Sequence, residues 1–280
     1  MAKRALVLAP SGSWGSWQAG CLWRWIVEHN LQFDPVLGVS AGALSGVTYF
    51  LGRPEKLVQL WTQISTTDIL VPELRLVPLS FCSLKGIRRL LEGWVDDDAG
   101  RKKGRCVFYV LTYCLDSNWP WVATFNPRGR WDSPLMDHLL ASCAMPPIFH
   151  PVSVQVQGTA KTLIDGAVIQ NGRAYFKLSL DADEIFILGA TRPDDPISFT
   201  INPLAWINNK GRRLFSKHLE LSVKALRDRS QSADIYYFYP SRSLNFNMLN
   251  FNPGKCREAF ALGADDAGSF IQNPGRHLIP

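Results

Sequence analysis

The sequence lacks any apolar run long enough to cross a membrane. A spanning helix needs about 18 or more consecutive apolar residues, and the first apolar stretch, "ALVLA", stops at Pro10-Ser11-Gly12. A secretion signal also needs a longer apolar run. We therefore expect neither a signal peptide nor a transmembrane helix, and a cytoplasmic protein that is at most peripheral to membranes.

The six cysteines lack the spacing of a metal site or of a disulfide framework. No Cys-x-x-Cys pair occurs, and no histidine stands at zinc-site spacing. The cysteines are Cys21, Cys82, Cys106, Cys114, Cys143 and Cys256. This pattern predicts reduced thiols in an intracellular protein, without a metal or another cofactor.

What is present is the composition of a folded globular protein. The 280 residues are 46% hydrophobic and 19% charged, and we find no repeat, low-complexity tract or linker. One domain over residues 1–280 is the simpler prediction. The net charge of +6 favours anionic surfaces, although charge alone does not separate acidic lipid from nucleic acid.

The hydrophobic pattern begins as strand, helix, strand, helix over residues 4–10, 15–30, 34–39 and 42–50. That order predicts an α/β fold with a parallel sheet covered by helices. Further along, the pattern predicts helices over residues 55–64, 84–94, 133–144, 204–229 and 255–271, strands over 106–115, 119–125, 184–190 and 234–240, a strand-turn-strand unit over 161–172, and a polar loop over 96–105.

"LGVSAG", residues 37–42, follows the second predicted strand and precedes a helix. Gly38 and Gly42 lack side chains where a nucleophile elbow is crowded, and Ser40 would lie at the positive end of the helix dipole. The Gly-x-Ser-x-Gly pattern alone also arises by chance. An ordinary turn therefore stays open as an alternative.

An activated serine needs a base and oxyanion donors. The α/β-hydrolase fold is disfavoured because only one strand precedes the strand that feeds the elbow. The histidines have no distinctive context: His29, His138, His150, His218 and His277. A buried carboxylate can replace histidine, because burial raises its proton affinity. Asp165 in "LIDGAVIQN" is the best candidate, although Asp-Gly also favours a hairpin turn.

The loop "APSGSWG", residues 9–15, lies between the first strand and the first helix. Backbone N–H groups in such a loop can point at a developing oxyanion. The alternative is an ordinary β-to-α turn. The loop does not match a nucleotide-binding motif.

Taken in order, these segments resemble the patatin-like phospholipases, lipid acyl hydrolases with a Ser/Asp dyad. The matching segments are the glycine-bearing loop followed by "WQAGCL", then "GVSAG", "ASCAMPPIFHPV" (141–152), "LIDGAVIQNG" (163–172) and "AFALGADDAG" (259–268). The resemblance implies a three-layer α/β/α fold with a central, mostly parallel sheet. It also implies action on glycerolipid or phospholipid esters.

Carried over residue by residue, the resemblance makes Ser40 the nucleophile and Asp165 the general base. Gly166 and Ala167 complete the dyad motif. The backbone N–H groups of Ser11 and Gly12 would form the oxyanion hole.

Four positions depart from the family pattern. Pro10 and Ser11 replace two glycines, and Pro10 has no N–H to donate. Trp14 replaces the usual basic residue, and Arg173 replaces a proline. The dyad is intact, whereas the oxyanion loop is altered.

Membrane contact would need an interfacial element. "LKGIRRLLEGWV", residues 84–95, puts Leu84, Ile87, Leu91 and Trp94 on one helical face, with basic residues largely on the other. A packed surface helix with solvated charges is slightly favoured over an interfacial one. The basic stretches 100–105 and 210–217 are more typical of solvated surface.

The leading hypothesis is a lipid acyl hydrolase. The alternatives are an acyltransferase that uses the same dyad and a catalytically silent lipid-binding protein. Nucleic-acid binding is the weakest hypothesis.

Overall fold

The buried strands form one eight-stranded sheet in the computed structural model, which describes residues 2–156, 158–168, 180–195, 203–229 and 232–279. The strand order is β10-β9-β1-β2-β5-β8-β7, and β6 pairs with β5. A separate hairpin is formed by β3 and β4. The strands are β1 Arg4–Leu8, β2 Val36–Val39, β3 Val71–Leu76, β4 Leu79–Ser83, β5 Phe108–Cys114, β6 Trp119–Phe125, β7 Val152–Val156, β8 Thr159–Asp165, β9 Glu184–Leu188 and β10 Asp234–Phe238.

The first part of the sheet is parallel, as predicted. Strands β10, β9, β1, β2 and β5 run in one direction, and β6, β7 and β8 are antiparallel to their neighbours. Ala5, Leu6, Val7 and Leu8 are all at most 3% exposed. Burial on both faces of a strand is typical of a sheet covered on both sides.

Helices cover both faces of this sheet. They are α1 Gly15–Val27, α2 Ala41–Phe50, α3 Pro54–Thr62, α4 Thr66–Ile69, α5 Lys85–Leu91, α6 Asp97–Lys103, α7 Leu135–Ser142, α8 Pro203–Arg229 and α9 Pro253–Gln272. Leu6 and Leu8 pack with residues of α1, α2 and α9, whereas Ala5 and Val7 pack with Leu226 of α8. The three-layer α/β/α architecture is confirmed.

The prediction of a polar loop over residues 96–105 is wrong. This segment contains α6, whose N-cap Asp96 accepts a 2.6 Å hydrogen bond from the Ala99 N–H. Acidic residues fill the first turn of α6 and basic residues fill its last, so the charges complement the helix dipole. Strands β3, β4 and β7 were not predicted, and the expected strand after Asp165 lies outside the described residues.

The helix considered for the membrane interface packs into the protein. Ile87, Leu91 and Trp94 are at most 8% exposed and belong to the main core. The packed-helix alternative is therefore correct for residues 84–95. None of the described helices is long and apolar enough to cross a membrane, and all six cysteines are free thiols.

A buried carboxylate ties the closing helix to the first. Asp266 of α9 is 6% exposed and accepts hydrogen bonds from Trp17 Nε1 of α1 at 2.8 Å and from the Ser241 N–H at 3.0 Å. A buried carboxylate needs such donors, because its desolvation is otherwise uncompensated.

We predict that Trp17→Phe lowers the free energy of unfolding by about 1–3 kcal/mol, because Asp266 stays buried and loses a donor. Urea denaturation measures the loss. Trp23→Phe is the matched control. Trp23 lies on α1, as Trp17 does, and it is half-buried against Phe260 of α9. Equal losses in the two variants would contradict the role of the hydrogen bond.

Candidate active site

Two strands of opposite direction share one edge of β5, and their carboxyl ends meet. β2 is parallel to β5 and pairs Val39 with Leu111. β8 is antiparallel to β5 and pairs Asp165 with Thr112, the next residue along. β2 and β8 must lie on the same edge of β5, because β6 pairs with the whole length of β5 on its other edge. The register therefore brings Ser40, which follows β2, to Asp165, which ends β8.

Ser40 lies on a tight strand-to-helix turn. Its φ of +54° and ψ of −128° are unusual for a residue with a side chain. A Cβ added to Gly38 would lie 2.5 Å from the Ala43 Cα, and one added to Gly42 would lie 2.3 Å from the Leu8 carbonyl oxygen. The turn thus has the crowded geometry of a nucleophile elbow.

Ser142 holds this turn in place, a role that the sequence analysis missed. The Ser40 N–H donates a 2.8 Å hydrogen bond to Ser142 Oγ, and that hydroxyl donates to the Leu111 carbonyl oxygen at 2.7 Å. Ser142 is fully buried at the end of α7. It belongs to the quoted segment 141–152, so the family pattern was the signal that could have identified it.

Asp165 is buried beside Ser40. Its side chain is 1% exposed, and Oδ1 accepts a 2.8 Å hydrogen bond from the Ala167 N–H. Among the described residues Oδ2 has no hydrogen-bond partner. Burial raises the pKa of Asp165 to about 7, while the Ala167 N–H and the Ser40 hydroxyl partly offset this rise. Gly166 next to it has no room for a Cβ, which would lie 2.5 Å from the Leu111 carbonyl oxygen.

The oxyanion loop keeps two backbone donors free. Within the described parts of the chain, the N–H groups of Ser11 and Gly12 have no acceptor, whereas the Ser13 N–H donates to the Met248 carbonyl oxygen at 2.8 Å. Gly12 has a φ of +56° and lines the cavity beside Ser40. Ser11 is fully buried and keeps a negative φ of −153°.

Gln18 of the "WQAGCL" segment fixes the start of this loop. Its side-chain amide donates to the carbonyl oxygens of Ala9 and Leu188 at 2.9 and 2.8 Å. Its Oε1 accepts a 3.0 Å hydrogen bond from Ser11 Oγ. The serine that replaces a family glycine is thereby absorbed into a buried polar network.

Trp14 is buried where the family carries a basic residue. Its indole N–H donates to the Phe246 carbonyl oxygen at 2.9 Å. The Arg212 guanidinium of α8 lies over the Trp14 ring, 4.6 Å from its centroid, and is paired with Asp195. The nearby cation is thus offset by a carboxylate.

Ser40, Asp165 and Gly12 line one cavity that is partly open to solvent. Apart from these three residues and Cys143, the lining is apolar: Ala41, Leu44, Leu60, Trp61, Ile64, Ile69, Leu70, Ile87, Leu90, Met145, Ile148, Phe149, Phe215, Met248, Leu249 and Phe251. Such a wall suits a hydrocarbon chain.

Among the described side chains, neither a histidine nor a metal-ligand cluster lies at this cavity. None of the four histidines with described side chains (29, 138, 150 and 277) lines it. His138 instead packs against Phe125, and its Nδ1 lies 2.9 Å from the Pro134 carbonyl oxygen. No cluster of potential metal ligands occurs among the residues that the structure describes.

Comparison with known proteins decides the family. The family model described as patatin-like phospholipase matches residues 6–174, which contain Ser40 and Asp165. The chain belongs to the patatin-like phospholipase family. Membership supports lipid acyl hydrolase activity in general.

The fold of this patatin-like protein is similar to that of VipD from Legionella pneumophila. The TM-score is 0.55 at 12% sequence identity, and the match covers 99% of this chain and 67% of VipD. No curated protein sequence matches the chain significantly.

We predict that Asp165→Asn stabilises the protein, by up to about 4 kcal/mol at pH 8. The pKa of Asp165 rises from an ordinary value of about 4 to about 7 on folding. The folded state therefore keeps the Asp165 proton up to a higher pH than the unfolded state does. The free energy of unfolding of the wild type consequently falls as the pH rises from about 4 to about 7. Urea denaturation from pH 4 to 8 measures the difference.

Ser40→Ala is the control for this measurement, because it keeps the buried carboxyl and should keep the pH dependence. An Asp165→Asn variant whose stability falls with pH as steeply as the wild type would contradict the raised pKa.

Proposed function

We propose that this patatin-like protein hydrolyses the fatty-acyl esters of glycerolipids or phospholipids through an acyl-Ser40 intermediate, with Asp165 as the general base. The proposal depends on one observation: the carboxyl ends of β2 and β8 lie next to each other along the same edge of β5. It places a hydroxyl on a tight elbow next to a buried carboxyl at an apolar cavity. Residues 1–280 form one hydrolase domain in this proposal.

The first half of the reaction forms the acyl-enzyme. Asp165 accepts the proton of Ser40 Oγ as this oxygen attacks the ester carbonyl carbon. The N–H groups of Ser11 and Gly12 stabilise the negative oxygen of the tetrahedral intermediate. The carbon–oxygen bond to the alcohol then breaks, and protonated Asp165 returns its proton to the leaving alcohol.

The second half repeats these steps with water. Asp165 removes a proton from a water molecule that attacks the acyl-Ser40 carbonyl carbon. The fatty acid leaves, and Ser40 regains its proton from Asp165. Neither step needs a metal or another cofactor.

The environment of Asp165 supports its role as a base without histidine. A general base works best when its pKa is near the working pH, and burial raises the pKa of Asp165 to about 7. An exposed aspartate would be a much weaker base, because its pKa is about 4. Burial therefore supplies the basicity that a histidine gives in other serine hydrolases.

A catalytically silent lipid-binding protein is the second candidate. Pro10 and Trp14, which depart from the family pattern, favour it, and Arg212 near Trp14 is neutralised by Asp195. The N–H groups of Ser11 and Gly12, which have no acceptor in the described parts of the chain, favour the hydrolase instead.

We predict that a fluorophosphonate labels the wild-type protein at Ser40. Ser40→Ala should abolish labelling and lower ester hydrolysis by about 10³-fold or more, because the nucleophile is lost. Asp165→Asn should strongly slow both the labelling of Ser40 and ester hydrolysis, since the Asn side-chain amide cannot accept the Ser40 proton. Intact mass and hydrolysis of p-nitrophenyl butyrate are the measurements.

Ser45→Ala is the matched control for labelling. Ser45 is a fully buried serine of α2, the helix that follows Ser40, and it accepts a 3.0 Å hydrogen bond from Trp61 Nε1. It does not line the cavity, so this variant should be labelled at the wild-type rate. A folded wild type that binds lipid without being labelled would support the silent binding protein.

We also predict that the labelling rate rises with pH through a midpoint of about 7 and then levels off, because only ionised Asp165 accepts the Ser40 proton. Rates measured from pH 5 to 9 give the profile. A midpoint near pH 4, or a rate independent of pH, would contradict the buried base.

A further inference from the structure

The β3–β4 hairpin concentrates the exposed apolar surface of the protein. Among the described residues, eight large apolar side chains are exposed, and five of them lie between residues 71 and 83. They are Leu74, Leu76, Val77, Leu79 and Phe81, and their exposed fractions range from 49% to 90%. Single exposed apolar side chains are ordinary, whereas a contiguous patch marks a contact surface.

The pairing of the hairpin brings these side chains together. Leu76 pairs with Leu79, and Phe81 lies two residues along β4, so all three lie on one face of the ribbon. Val77 follows at the turn and is 90% exposed. Leu76, Val77, Leu79 and Phe81 thus form a contiguous, exposed apolar tip of the hairpin.

The hairpin is anchored at the wall of the acyl cavity. Ile69 and Leu70, which directly precede β3, line that cavity, and so do Ile148 and Phe149. The Cys82 N–H of β4 donates a 2.8 Å hydrogen bond to the Ile148 carbonyl oxygen. The apolar tip and the substrate cavity are therefore parts of one connected structure.

Cationic side chains follow the apolar tip. Residues 71–91 contain four basic residues and one carboxylate, a net charge of +3. Glu73 accepts hydrogen bonds from Arg75 and Lys85 at 2.8 and 2.9 Å, and Arg88 pairs with Asp137 at 3.0 Å. Arg89 is exposed and has no ion pair among the described residues.

We propose that the β3–β4 hairpin docks the protein on anionic lipid bilayers, with Leu76 and Val77 inserted among the acyl chains and Arg89 near the lipid phosphates. The choice of a bilayer rests on the proposed function, because the cavity beside the hairpin takes the acyl chains of lipids. Apolar side chains beside excess positive charge complement an anionic lipid surface. A second copy of the chain would carry the same positive charge at this surface, and the two copies would repel each other there.

Co-sedimentation of the purified full chain with phosphatidylcholine vesicles, with and without phosphatidylserine, tests the proposal. Wild type should bind the vesicles that contain phosphatidylserine. Leu76→Asp/Val77→Asp should reduce this binding by about tenfold or more, because apolar burial is replaced by two charges. Arg89→Glu should reduce it by about fivefold.

Val27→Asp is the matched control. Val27 is 47% exposed at the end of α1. Because α1 connects the carboxyl end of β1 to the amino end of the parallel β2, Val27 lies toward the end of the sheet opposite Ser40. This variant should bind vesicles as the wild type does. Hydrolysis of the soluble ester p-nitrophenyl butyrate should be unchanged in every variant, whereas hydrolysis of vesicle lipid should fall with binding.

The outcomes separate docking from catalysis. A wild type that binds vesicles and does not hydrolyse the soluble ester leaves docking supported and contradicts the hydrolase. Docking is overturned if Leu76→Asp/Val77→Asp binds as well as wild type, or if wild type does not bind at all. A dimer in size-exclusion chromatography that this double variant dissociates would also overturn docking, because the hairpin would then bind a second copy.

Discussion

The shared edge of β5 is the constraint on which the rest of the site depends. Two strands that reach one edge from opposite directions must stop before they collide, and the last residues of both are therefore held close together. The Leu111 carbonyl oxygen lies at this junction and accepts a hydrogen bond from the Ser142 hydroxyl. The same oxygen leaves no room for a side chain on Gly166. Hydrogen bonding and steric exclusion thus act on the same few atoms.

Burial at this junction has opposite effects on stability and on chemistry. Taking the Asp165 carboxyl out of water destabilises its ionised form, which costs folding free energy at neutral pH. The same desolvation raises its pKa to about 7, and among the described residues Oδ2 has no competing donor. In the proposed mechanism the carboxyl is therefore available to the Ser40 hydroxyl.

The sequence predicted the layers of the fold and the proximity of Ser40 to Asp165, because ordered motifs report which strand ends share a site. It did not predict α6, although Asp96 and the basic last turn were visible signals; the run of charges was read as a loop. It also missed the β3–β4 hairpin, where Pro72 and Pro78 interrupt the strand pattern. Trp14 shows another kind of limit, since its Arg212 neighbour comes from a distant helix.

Residues 84–95, for which both a packed helix and a membrane-contacting helix were considered, illustrate why an amphipathic pattern is ambiguous. The pattern identifies the apolar face of α5 but not what covers that face. Here Ile87 and Leu90 form part of the cavity wall, so this face is satisfied within the protein. The neighbouring hairpin has no such cover among the described residues, and it is the surface proposed for lipid contact. Because α5 and the hairpin are consecutive in the chain, one segment both lines the acyl cavity and presents the surface proposed to contact the bilayer.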